Sequence, residues 1–227
     1  MSRSVFVHET IDIVGQGQYD YMEMVNREPA QHMPDMTSLQ GTFYILGFGG
    51  GHWPQVINIW DCGEDGWDGW GRNLDRLNLK RRKAYYGDWW DEAAQWRTGG
   101  FDRVCAGIPE SPTTKQIEER GIKGTLFLNE VLSVQPGRQI EYLNLVVKER
   151  SEFMTDHGIV PTGLWEVINN NHEVVMIWAT TIEQWVTFQK TRDTSLGLDT
   201  SGSKDDRILK WERSASKLSL IHISEPT

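Results

Sequence analysis

The amino-acid sequence predicts an α+β fold built as two copies of one βαββαβ unit, and two blocks of internal similarity carry that prediction. Residues 5–25, VFVHETIDIVGQGQYDYMEMV, align without gaps on residues 126–146, LFLNEVLSVQPGRQIEYLNLV. Identities fall at Phe6/Phe127, Glu9/Glu130, Gln18/Gln139, Tyr21/Tyr142 and Val25/Val146. Further on, Val56-Ile57-Asn58-Ile59-Trp60 lies on Val174-Val175-Met176-Ile177-Trp178, and Trp67 then lies on Trp185. Two blocks in the same order at similar spacing point to duplication. Within each copy, period-two hydrophobicity gives way to helical periodicity and back again.

Each element follows from local chemistry. Val5–Ile13 alternates apolar and polar residues, as a strand does. Gly15-Gln16-Gly17 in copy one and Gln135-Pro136-Gly137 in copy two break the strand and start a helix. In the second copy Ile140, Leu143 and Val147 form the apolar stripe of that helix. Gly41–Gly47 and Pro54–Asp61 predict a hairpin around Gly49-Gly50-Gly51; Gly163–Ile168 and Glu173–Ala179 predict another around Asn169-Asn170-Asn171. Helices follow at Trp67–Asn78 and Ile182–Thr191. Copy one adds a helix over Asp88–Arg97 and a strand over Phe101–Ala106, whereas copy two reaches its equivalent helix at Asp206–Ser214 and shows no closing strand after it.

The predicted organisation is a first repeat over 1–106, a Pro- and charge-rich linker over 107–122 and a second repeat over 123–217. Ordered β-α-β-β-α-β twice, the chain reads as a tandem ferredoxin-like pair. A four-stranded sheet with helices on one face leaves the other bare, so the two sheets are expected to pack together. The last ten residues, LSLIHISEPT, resemble a translated sequencing adapter. On that reading the natural chain is truncated after Lys217 and residues 218–227 stand outside the fold.

Composition narrows the partners. The 227 residues carry a formal net charge of −9, which repels phosphate backbones and anionic lipid, so neither nucleic acid nor a membrane surface is expected. The basic run Lys80-Arg81-Arg82-Lys83 reads as a solvated helix end. Two cysteines in unlike contexts, Cys62 and Cys105, argue against a disulfide framework and for a reducing cytoplasm. No apolar run reaches the ~18 residues of a membrane span. With 11 Trp, 7 Phe and 6 Tyr, the chain has ample apolar area for a core. A monomer suffices if the tandem copy replaces a partner, and exposed edges leave a homodimer open.

Strand phase then nominates a site. In the first strand Val5, Val7, Ile11 and Ile13 make the apolar face, leaving Phe6, His8, Thr10 and Asp12 for an interior pocket. Phe127, Asn129, Val131 and Ser133 are their counterparts, and the hairpin strands are read as adding Tyr44, Asn58, Trp60, Met176 and Trp178. His8 is the catalytic candidate, since an imidazole in mid-strand can act as acid/base or ligate haem. Its bland alternative is a hydrogen-bonded core histidine. Glu9 and Glu130 recur on an otherwise apolar face and are read as structural, paired with an arginine such as Arg103.

Gly47-Phe48-Gly49-Gly50-Gly51 lacks GxxxxGK[ST] and precedes a strand, so it reads as a hairpin turn and not a phosphate loop. Trp89-Trp90 read as anchors of the extra helix. No HxxxH or HxH spacing joins His32, His52, His157 and His172, and no metal site is expected.

The strand ending in Leu132-Ser133-Val134-Gln135-Pro136-Gly137 before a helix resembles NIPSNAP-like proteins of the dimeric α/β-barrel superfamily. So does the hairpin strand Val175-Met176-Ile177-Trp178 before the next helix; copy one departs, with Val14-Gly15 in place of Gln135-Pro136. The resemblance implies paired sheets enclosing a pocket, in a superfamily of monooxygenases, isomerases, dehydratases and haem-binding proteins. A fold hosts many functions. The resulting expectation is an α/β-barrel protein that acts on or binds a small apolar or aromatic molecule between the two sheets, without a required cofactor. Its rivals are a non-catalytic ligand- or haem-binding protein and an assembly module with a filled interior.

Overall fold

The structure is a computed structural model that describes residues 3–27, 38–80 and 86–220. It divides into two compact units, Met1–Ala106 and Gly107–Thr227.

In the first unit the chain runs β1 (Val5–Ile13), α1 (Gln18–Arg27), β2 (Ser38–Tyr44), β3 (Gln55–Asp61), α2 (Trp67–Leu74), α3 (Tyr86–Ala93) and β4 (Arg97–Gly107). The sheet order is β2-β3-β1-β4 with all neighbours antiparallel, the ferredoxin-like arrangement. Ile11, Ile13 and Val56 face Tyr21, Met24 and Val25 of α1 in one buried cluster. Burying each such side chain contributes about 1.5–3 kcal/mol.

β4 begins at Arg97, earlier than the Phe101 start read from the sequence. Gly99 and Gly100 are part of the strand. A Cβ on Gly100 would sit 2.2 Å from the Thr10 carbonyl oxygen, and its φ is +148°, so a side chain here would push β4 off β1. The β1–β4 register slips by one residue beside it, between Asp12 and Ile13. The helix expected over Asp88–Arg97 accordingly ends at Ala93.

The second unit runs α4 (Thr114–Glu119), β5 (Leu126–Ser133), α5 (Gln139–Leu145), α6 (Ser151–Asp156), β6 (Val160–Val167), β7 (Glu173–Thr180), α7 (Ile182–Ser195) and α8 (Asp206–Ala215). Its strands lie in the order β6-β7-β5, antiparallel throughout. α5 passes into α6 through a π-wound stretch, Val146–Arg150. Capping boxes start α4 (Thr113 with Gln116) and α7 (Thr181 with Gln184). Leu143, Val146, Phe153, Met154, Met176, Trp178 and Trp211 are among the buried residues of this unit's core.

The stretch read as a linker is docked. Ile108 N donates to Leu164 O at 3.3 Å, and Leu164 N donates to Ser111 Oγ at 3.0 Å. After α8 the chain returns to β5, where Ser219 bridges Val134 antiparallel and Leu218 is buried in the core. Residues 221–227, most of the segment likened to an adapter, lie outside the described residues.

Candidate functional site

Two buried polar clusters occupy matching places under the helices of the two units. In the first, Glu9 Oε2 accepts from Asn58 Nδ2 and from Trp60 Nε1, each at 2.9 Å. Asn58 also donates to Tyr21 Oη at 3.2 Å, and Arg97 Nη1 approaches Glu9 Oε1 at 3.5 Å. Burial and the neighbouring Glu9 charge push the Tyr21 phenol well above its ordinary range, so it stays neutral. Asp102, the cross-strand partner of Glu9 on β4, also has its carboxyl raised, by desolvation and then by Glu9.

The second unit repeats the theme with a stronger ion pair. Glu130 accepts from Trp178 Nε1 at 2.9 Å and from both Arg150 guanidinium nitrogens at 2.7 and 2.8 Å. The Arg150 guanidinium lies over the rings of Trp178, at 5.0 Å, and Trp211, at 5.5 Å. The π-wound stretch carries Arg150 as its last residue, and the side chain it delivers is buried. A carboxylate so fully paired is a structural group. The arginine is not Arg103, as the sequence suggested: it is Arg97 in one unit and Arg150 in the other.

These clusters fix the strand phase and correct part of the predicted lining. Asn58, Trp60 and Trp178 point to the helix-covered face, where they bond the glutamates. Met176 and Tyr44 belong to the same faces, Met176 in the second core and Tyr44 packed on the first, with its ring 5.2 Å from Tyr19. The sequence reading had placed them with His8. Period two separates the faces of a strand but does not say which one the helices cover. The signal was present: Glu9/Glu130, Tyr21/Tyr142 and Trp60/Trp178 are matched positions when the two halves of the sequence are aligned.

His8 lies on the opposite face of β1 and is fully buried. Its cross-strand partners are Ile59 and Arg103, and Phe6 and Thr10 flank it on the same face. Phe6 and Ile59 are buried as well. In the second unit Phe127 and Asn129 alternate with Leu128 and Glu130 and therefore lie on the face of β5 away from the core; Phe127 is half-buried and Asn129 exposed.

The remaining candidates have structural surroundings. His157 Nε2 is 3.4 Å from Asp205 Oδ2 and packs edge-on against Phe188. Among the described residues no group of three or more His, Cys, Asp or Glu is placed to hold a metal ion. The Gly47–Gly51 run lies in the β2–β3 connection, where Phe48 takes a positive φ of 64° with its ring fully exposed. Trp89 packs into the first unit's core, and Trp90 lies 5.0 Å from the Arg97 guanidinium. His32 and Arg81-Arg82-Lys83 fall outside the described residues. Among those described, no helix is long and apolar enough to cross a membrane.

No known protein family and no curated protein matches the chain in sequence. Solved structures do match. A protein of Fusobacterium nucleatum, provisionally named a monooxygenase, aligns over 96% of this chain and 88% of its own at TM-score 0.56 and 8% identity. A protein of Lactobacillus acidophilus with the same provisional name aligns over 96% and 90% at TM-score 0.55 and 10% identity. The chain shares the α+β, ferredoxin-like fold of these two proteins. An uncharacterized NIPSNAP domain protein of Burkholderia xenovorans covers 48% of this chain and 99% of its own, at TM-score 0.39 and 11% identity.

Proposed function

We propose that the chain binds a small, largely apolar or aromatic molecule against the His8 face of its first sheet, with the imidazole as the polar group that meets it. The observation that carries this reading is the placement of His8: fully buried in mid-strand, on the face away from α1, with Phe6 and Ile59 around it. A largely apolar surface with a few polar groups, one of them able to give or take a proton, is the usual chemistry of a small-molecule site. Two neighbours in fold are provisionally named monooxygenases, and the sequence motifs resemble NIPSNAP-like proteins; both support a small-molecule role.

The test is a calorimetric titration of the chain with aromatic and terpenoid-sized compounds, and with haemin read by its Soret band. Binding by the wild type, weakened at least about tenfold in His8→Ala, is the expected result; tenfold is about 1.4 kcal/mol of affinity. Equal affinities in both proteins remove His8 from the site.

Trp165 and Val175 favour a second reading, an assembly module with a filled interior. They are cross-strand partners on the face of the second sheet turned away from its helices, and both are fully buried. Failure of every compound to bind selects this reading.

A further inference from the structure

Antiparallel pairing sets the side chains of the His8 face in rows that cross the first sheet from β2 to β4. One row reads Gly41, Ile59, His8, Arg103. The next begins with Phe43 and Ile57 and ends with Thr10 and Phe101. Cross-strand partners share a face, so these residues stand together on the side away from α1.

The two ends of the rows differ in chemistry. On the β2–β3 side the Phe43 ring folds back over Gly41, where any Cβ would collide with it, and the register slips at that glycine. Ile57 and Ile59 are buried next to it. On the β1–β4 side stand His8, Thr10 and Arg103, whose guanidinium lies 4.6 Å from the centre of the Phe101 ring. Strands are spaced about 4.8 Å apart, so the three steps from Gly41 to Arg103 cover about 14 Å. Polarity thus rises across the sheet, from an apolar end to a cationic one.

Arg103 is the one permanent cation among the described residues of these four strands on this face. Two carboxylates flank the rows, Asp61 opposite Phe6 and Asp12 opposite Gln55. Asp61 Oδ1 accepts from Gly63 N at 2.9 Å, and Asp12 Oδ1 from Gln55 Nε2 at 2.8 Å.

We infer that the molecule taken by this face is a monocarboxylic acid with an aryl or medium-chain alkyl body. The inference rests on the small-molecule reading of the His8 face and adds the ligand's charge and direction to it. The body lies on Phe43, Ile57 and Ile59, and the carboxylate points toward β4, within reach of Arg103 and His8. A guanidinium offers a planar fork that matches a carboxylate, and such charge-assisted bonds are stronger than neutral ones.

Calorimetric titration of the full chain with octanoate and 4-phenylbutyrate, each beside its neutral primary amide, tests this near neutral pH. The acids are expected to bind wild type at least about tenfold tighter than the amides. That preference should vanish in Arg103→Met and survive in part in Arg103→Lys, which keeps the charge but not the fork. Equal binding of acid and amide to wild type, still weakened in His8→Ala, overturns the acid inference and leaves the small-molecule site standing. An acid preference undiminished in Arg103→Met overturns it as well. So does failure of both acids while a neutral aromatic or terpenoid-sized compound binds; failure of every compound removes the site reading too. Should Arg103→Met not fold, the comparison of acid with amide in wild type needs no variant and decides alone.

Discussion

Arg150 holds Glu130 through two parallel hydrogen bonds of 2.7 and 2.8 Å, while the corresponding carboxylate of the first unit, Glu9, has Arg97 at 3.5 Å on one oxygen only. The glutamates are thus neutralised from different elements in the two units: Glu130 from the helix layer, Glu9 from β4. Glu9 relies instead on the neutral donors Asn58 and Trp60.

Removing one member of a buried pair leaves a charge without compensation. Arg150→Met is expected to destabilise the chain by about 3 kcal/mol, and Arg97→Met by about 1 kcal/mol or less. Glu130→Gln combined with Arg150→Met should recover much of the first loss. Urea unfolding midpoints of the four proteins check this; equal costs for the two arginines would refute the asymmetry.

Gly100 permits the close approach of β4 to β1. Gly100→Ala combines a positive φ with a Cβ 2.2 Å from a carbonyl oxygen, and something must move. A loss of about 2–4 kcal/mol is expected, the range of strained core substitutions. Gly47→Ala, with open space around its Cβ, serves as the control and should lie within about 0.5 kcal/mol of the wild type.

Both cysteines are buried, and burial pushes the Cys62 thiol up to about 12, with the Asp61 charge adding to it. The thiolate is the reactive form. Titration with a chromogenic disulfide at pH 8 should detect no fast-reacting thiol in the folded chain and both in denaturant. Rapid reaction of Cys62 in the folded protein would contradict its burial.

Asp205 links the start of α8 to the second unit's core. Its carboxyl is held below the ordinary carboxylate range, first by the Arg207 side chain, then by the Arg207 amide and His157. A carboxylate depressed in the folded state stabilises the fold above its unfolded pKa of about 3.9. That stabilisation is lost as pH falls below about 4 toward the folded value. Asp205→Asn should therefore cost stability at pH 7 and flatten the acid limb of the melting temperature against pH. An unchanged acid limb would show that the pairing carries no proton linkage.

Much of this fold was legible because similar patterns occur in both halves of the sequence. The β1 and β5 strands, their helices and both hairpins follow from alternation and turn residues that occur twice. The site was legible only in part. Asn58, Trp60 and Trp178 looked like pocket residues because polar and aromatic groups suit pockets, yet they exist to satisfy Glu9 and Glu130 on the covered face. The arginines escaped sequence reasoning for a different reason. Arg97 depends on a glycine-permitted extension of β4, and Arg150 on a π-wound helical stretch, and neither leaves a periodic trace.

Native mass spectrometry of the full chain purified from its host, beside His8→Ala purified in the same way, tests directly whether the His8 face receives a small molecule. A second species, heavier by one small organic molecule, is expected in the wild type and is lost or strongly reduced in the variant. The bare chain mass in both, from a host extract that retains its small molecules, would contradict it.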